Sequence, residues 1–184
     1  MRGPLNFDDI EAIERQRTPE AHRSAAAELL SWVEERHPDD EVTAADLLSA
    51  AAWHLGKAGD VERSLELHRR VVATGGLTSL DARCLLHAAL LDAGQLDEAR
   101  QVADELRRSR PRIVDCAAMG ENFDGFGDLR QAHRWIEMGV NQLQLEAPED
   151  TEDDFSVIVL LNIRRSVRSQ LGFPPDELDE MPPE

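Results

Sequence analysis

Six histidines, two cysteines and 37 acidic residues are the groups in this chain that could do chemistry. The histidines are His22, His37, His54, His68, His87 and His133, and none stands four residues from another. A zinc-type H-x-x-x-H pair is therefore missing. His133 and Glu137 share a helix face at i,i+4 and could give a metal two ligands, but a metal site needs three or four. His54 and His87 fall on successive helices of the reading below and could approach each other; buried structural imidazoles are the plainer account. No G-x-S-x-G, P-loop or G-x-G-x-x-G motif is present. The glycine-rich run Gly120-Glu121-Asn122-Phe123-Asp124-Gly125-Phe126-Gly127 lacks the Lys and Ser/Thr of a phosphate cradle, and no strand is predicted before it. Cys84 and Cys116 do not make a disulfide framework for a chain of 184 residues. Paired carboxylates are so common here that none is informative. These observations predict a protein that is not an enzyme, with no cofactor and no metal.

The elements that would position these groups read as helices. Hydrophobic residues make up 41% of the chain, but aromatic residues only 4%, with no Tyr. The apolar content is mostly Ala and Leu, which favour helix, and a β-sandwich would draw on the aromatic and β-branched residues instead. Asp8 to Arg17 reads as a short helix. Thr18-Pro19-Glu20 opens a second, with Thr as N-cap and Pro at the first helical position. Ala26, Leu29, Leu30 and Val33 give its apolar stripe, and it ends near His37. Thr43 with Asp46 has the spacing of a capping box. The helix that follows carries Leu47, Leu48, Ala51, Ala52 and Leu55. Asp60 is placed to cap its partner, which carries Val61, Leu65, Leu67, Val71 and Val72.

The same pattern is then written twice more. Ser79 is placed to cap a helix with Leu80, Leu85, Leu86, Ala89 and Leu90, followed by one with Leu96, Ala99, Val102, Ala103 and Leu106. Ile113, Cys116, Ala117, Met119 and Phe123 begin the third pair, completed by Leu129, Ala132, Trp135, Ile136 and Gly139. The break glycines Gly59, Gly94 and Gly127 stand 35 and 33 residues apart. A period of this size is the signature of a helical solenoid. An acidic stretch, 146–154, then separates the array from a final apolar run. Val157 to Leu161 could be a buried strand by periodicity alone, but its continuation to Gly172 and its basic end predict a capping helix. Asp176 to Glu184 reads as an acidic, frayed tail.

Charge narrows the partners. The net charge is -17, which repels a phosphate backbone, so nucleic-acid binding would need a local basic patch. Arg107, Arg108, Arg110 and Arg112 form one small cluster and Arg164, Arg165 and Arg168 another. Both read as solvated helix ends, where cations meet the negative end of the helix dipole. No stretch approaches the roughly 18 apolar residues of a membrane span, and the N-terminus has no apolar leader. No nucleic acid, no membrane and a cytoplasmic location are the expectations. Lys57 is the only lysine, and arginine with abundant alanine suggests a GC-rich bacterial genome.

The three units resemble tetratricopeptide repeats. In that pattern the inter-helix turn is Gly and a polar residue, with Ala five positions after the Gly. Gly94 with Ala99 and Gly127 with Ala132 match, and Gly59 with Ser64 is a near match. A small residue is expected seven positions before the Gly: Ala52 and Gly120 fit, His87 does not. Leu55, Leu90 and Phe123 supply the large residue expected four positions before it. Pro111 ends the second unit as the pattern requires, while Gly76 stands in for it in the first. Trp53-His54-Leu55-Gly56 is similar to the family's Trp-x-x-Leu-Gly signature but one residue short and out of register. The resemblance covers residues 45–144. It implies an all-α, right-handed α-solenoid of about three helix hairpins with flanking N- and C-terminal helices: 1–42 packing on the array, 43–145 the repeats, 146–154 the acidic loop, 155–172 the capping helix and 173–184 the tail. An unrelated helical bundle is the architectural alternative.

The resemblance also implies a site. The first helix of each pair would line a concave groove: Asp46, Ser49, Trp53 and Lys57, then Asp81, Cys84, Ala88 and Asp92, then Val114, Ala117, Glu121 and Asp124. Such a groove is acidic with an apolar floor. With Lys57 its only cation, it does not suit the clamp by which some family members hold a peptide carboxylate. A protein or peptide partner, basic or amphipathic, suits it better, with Trp53 stacking on the partner's cations or else packing against a neighbouring helix. The expected function is thus a protein-interaction module. The alternatives are a homodimer formed through the C-terminal helix around Val157 to Leu161, or a helical metal enzyme using His133 and Glu137.

Overall fold

A computed structural model describes residues 2–15, 18–75, 79–145 and 154–180. Among the described residues every regular element is an α-helix: α1 (Phe7–Glu14), α2 (Pro19–Glu34), α3 (Ala44–Lys57), α4 (Val61–Thr74), α5 (Ala82–Asp92), α6 (Leu96–Arg108), α7 (Ile113–Phe126), α8 (Leu129–Leu145) and α9 (Asp154–Gln170). None of them is long and apolar enough to cross a membrane. The apolar run Val157 to Leu161 is helical, as its length predicts. Of the acidic loop, 146–153 lies outside the described residues, as do Gly76 and 181–184.

The caps are local chemistry. Thr18 Oγ1 accepts from the Ala21 amide at 3.2 Å, and Pro19 takes the first helical position. Thr43 and Asp46 form the reciprocal capping box. Two expected caps differ. Asp60 makes no side-chain cap and bonds Arg63 Nη1 instead, at 3.2 Å. The cap of α5 is Asp81 rather than Ser79: its carboxylate accepts from the Arg83 amide at 3.0 Å and also holds the Arg83 guanidinium. A carboxylate that serves both an orphan amide and a cation is the stronger cap.

The turns α3–α4, α5–α6 and α7–α8 are the same structure three times. Gly59, Gly94 and Gly127 adopt left-handed φ of 82°, 70° and 86°. After each, a polar residue donates its amide to the carbonyl four positions before the glycine: Asp60 to Leu55, Gln95 to Leu90 and Asp128 to Phe123, each at 2.9 Å. The glycine amides bond Gly56, Leu91 and Asp124 at 3.0, 3.0 and 2.9 Å. This double bond satisfies carbonyls that the helix end leaves open, and its left-handed residue favours glycine. Ser64, Ala99 and Ala132, five positions after each glycine, are buried, as are Leu55, Leu90 and Phe123.

The chain divides into two compact units, Met1–Ala99 and Arg100–Glu184, with the boundary inside α6. In the first unit α3 is central and packs against α1, α2, α4 and α5. Its many alanines allow this: Ala45, Ala50, Ala51 and Ala52 are buried along with Leu47, Leu48 and Leu55. Leu5, Ile10, Leu29, Val42 and Leu47 form one core cluster with Ala50 and Ala51. Ala45, Leu48, Val71 and Ala82 form a second. The N-terminal segment is tied down by Asp40, which accepts from Arg2 Nη2 at 2.6 Å, from the Leu5 amide at 2.8 Å and from the His37 amide at 2.9 Å. These donors, Arg2 first, hold the Asp40 carboxyl well below the usual carboxylate range.

In the second unit α7, α8 and α9 pack mutually. Close approach between α7 and α8 needs Gly120, where a Cβ would stand 2.7 Å from Ile136 Cγ1. Leu160 of α9 reaches Gly139 of α8 in the same way, with 3.1 Å to such a Cβ. After α9 the chain reverses at Gly172, with φ 78°. Residues 176–180 lie against α9 rather than fraying, which corrects the expectation for that part of the tail. The cause is ionic: Asp176 and Asp179 meet Arg164 and Arg168.

Candidate functional site

The α3 residues of the expected groove recur at helical spacing, but α3 is covered by four neighbours and does not show all of them. Asp46 is half-buried, its Oδ2 accepting from the Thr43 amide at 2.8 Å and from Thr43 Oγ1 at 2.7 Å. Ser49 is a correction: it is 8% exposed, too covered to meet a partner. Trp53 is 42% exposed and Lys57 is exposed, with the Lys57 ammonium 5.6 Å from the indole centroid. On α5, Asp92 is exposed and Ala88 half-buried, while Asp81 is half-buried as the helix cap. Cys84 is a second correction, at 1% exposure. It lies on the side of α5 that carries the buried Leu91 rather than on an open face. On α7, in the second unit, Glu121 is exposed and Val114 half-buried, whereas Ala117 is buried. Asp124 is half-buried and accepts from Gln170 Nε2 at 3.1 Å.

Trp53 stands on two imidazoles. Its ring meets His54 edge-on at 4.9 Å between centroids and 80°, and His22 at 5.5 Å and 77°. His22 and His54 face each other through their Nδ1 atoms at 2.8 Å. At that distance one Nδ1–H donates to the lone pair of the other, so the two Nδ1 atoms share a single proton. Both rings are buried, and His54 Nε2 meets no hydrogen-bonding partner among the described residues. Burial, and secondly the His22 charge, push the His54 pKa down to about 4. The pair fastens α2 to α3 directly beneath the indole, and Arg23 Nη2 adds a bond to the Ala58 carbonyl at 3.1 Å.

His54 thus meets His22 of α2. Sequence reading did not single out His22, yet a signal was there. His22 continues the stripe of Ala25, Ala26 and Leu29, all of which are buried with it. Its partner 32 residues away has no trace in local spacing.

The chemistry available elsewhere is limited. His133 Nε2 stands 3.7 Å from Glu137 Oε1, which also accepts from Arg164 Nε at 3.1 Å. That carboxylate already serves a guanidinium. Among the described residues no group of three His, Cys, Asp or Glu side chains stands together as a metal site. The Cys116 thiol, buried and beside Asp115, is pushed up to about 12 and stays protonated near neutral pH. Arg107 bonds Asp104 and Arg112 bonds Asp115, while Arg164 and Arg168 are engaged by the 173–180 segment. Comparison with protein-family models, with curated proteins and with solved structures finds no match.

Proposed function

We propose that this chain is a non-enzymatic interaction module of the tetratricopeptide-repeat type, and that it binds a basic or amphipathic peptide or protein segment on the α3–α5 face. Three turns of one geometry, each with a buried small residue five positions on and a buried large residue four before, support a right-handed solenoid of helix hairpins. Trp53 carries the assignment of the face. A half-exposed indole wedged edge-on against two buried rings loses little freedom on binding, and rigid aromatic anchors of this kind dominate interface energetics. Asp46 and Asp92 supply acidic flanks on α3 and α5.

The test is affinity capture at low salt with the full chain and its Trp53→Ala variant side by side, each first checked for helical content. The expected outcome is a near-stoichiometric partner with a basic binding segment on the parent chain, absent from the variant. The same set of proteins on both would overturn the assignment to this face.

A second reading is a homodimer through α9, favoured by Phe155 at 70% exposure beside half-buried Val157, Ile158 and Val159. A light-scattering mass of one 20.6 kDa chain at high concentration would remove it.

A further inference from the structure

The segment after α9 is held by charge and little else. Arg164, 4% exposed, grips Asp176 with two bonds, Nη1 to Oδ1 at 2.8 Å and Nη2 to Oδ2 at 2.7 Å. The same Nη1 reaches Asp179 Oδ1 at 2.7 Å. Arg168 Nε donates to Asp179 Oδ2 at 2.9 Å, and its Nη2 donates to the Pro174 carbonyl at 2.9 Å. Arg165 Nε donates to the Asp179 carbonyl at 2.7 Å. The segment presents two of its four acids, Asp176 and Asp179, by folding a turn, with the Asp179 amide on the Asp176 carbonyl at 2.9 Å.

Its apolar residues contribute little. Phe173, Pro174 and Pro175 are exposed, and Leu178 is only half-buried. Phe173 lies 5.2 Å from the His133 ring and 5.4 Å from the Arg168 guanidinium. Glu137 is the helix-borne acid at this face, and the segment brings Asp176 and Asp179 to it. With the segment away, Arg164 and Arg168 lose the carboxylates of Asp176 and Asp179 while Arg164 keeps Glu137, so the face favours another acidic segment.

We infer that Arg164, Arg165 and Arg168 form a recognition face for an acidic peptide segment with two carboxylates three residues apart, and that residues 176–179 occupy it in cis as a built-in competitor. The partner is an acidic segment of another protein, engaging a unit distinct from the Trp53 face. The tether raises the local concentration of the competitor, so the partner must out-compete an intramolecular ligand.

The probe is a labelled peptide of residues 173–180, and the protein is the full chain carrying Asp176→Asn and Asp179→Asn together. The variant is expected to bind the peptide one-to-one, more weakly as salt rises, and about tenfold or more tighter than the parent chain does. Adding Arg168→Ala is expected to abolish that binding. A helical variant that does not bind the peptide, or equal binding by parent and variant, would overturn the inference. Amide exchange on the parent chain covers the case in which the variant does not fold. With excess unlabelled peptide, the Asp179 amide is expected to lose protection while α9 keeps its own. An Asp179 amide as protected as those of α9 under that excess would make the segment an integral part of the fold and overturn the inference.

Discussion

The buried imidazoles make the fold sensitive to pH. His54, His68 and His87 are each pushed down to about 4, His68 and His87 by burial alone, His54 by burial and then by His22. An unfolded histidine titrates near 6.5. Between those values the unfolded chain binds more protons than the folded one, so stability is complete above about pH 6.5 and declines as pH falls toward 4. Each unit of depression is equivalent to about 1.4 kcal/mol. Thermal melts from pH 7 to 4 are expected to show a falling Tm in the parent chain and a shallower fall in His68→Leu. Parallel curves for the two would show that His68 is not a source of the dependence. His54 lies against the Trp53 indole, so its depressed pKa extends the same sensitivity to the Trp53 face.

At the scale of elements, two glycines at one helix end separate two roles. Gly127 closes α7 in the left-handed region with φ 86°, where a Cβ is strained. Gly125 lies within α7, with open space where a Cβ would stand. Gly127→Ala is expected to destabilise by about 1–2 kcal/mol, the usual cost of a left-handed non-glycine residue. Gly125→Ala is expected to stabilise by roughly 0.5 kcal/mol through helix propensity. Urea denaturation midpoints read both, and equal shifts of one sign would contradict the turn geometry. The turns and the caps at Thr18 and Thr43 were legible from the chain because their bonds span three to five residues. The α5 cap was misread at Ser79, since the choice of Asp81 depends on its added bond to Arg83.

For the whole molecule the dominant quantity is its charge of -17. Capture of a basic segment on the Trp53 face is expected to weaken steadily as salt rises toward 1 M, where the screening length shrinks to about 3 Å. Binding that is indifferent to salt would point to the apolar contacts of Trp53 alone. The same screening acts on the acidic segment at Arg164 and Arg168, whose attachment is ionic, while the cores around Leu47 and Leu160 do not depend on it.

Helix content, the repeated glycine turn, the Thr43–Asp46 capping box and the apolar stripes were determined by the sequence alone, because each rests on bonds or periodicities within a few residues. Which polar groups ended inside was decided by tertiary structure, since burial depends on a second element arriving from elsewhere. Ser49 and Cys84 share a period with exposed residues yet lie covered; His22 finds His54 across 32 residues; Asp176 and Asp179 become ordered only because the chain reverses at Gly172 and lays them on Arg164. Local spacing assigns a residue to a face of its own helix, and only packing determines what that face meets.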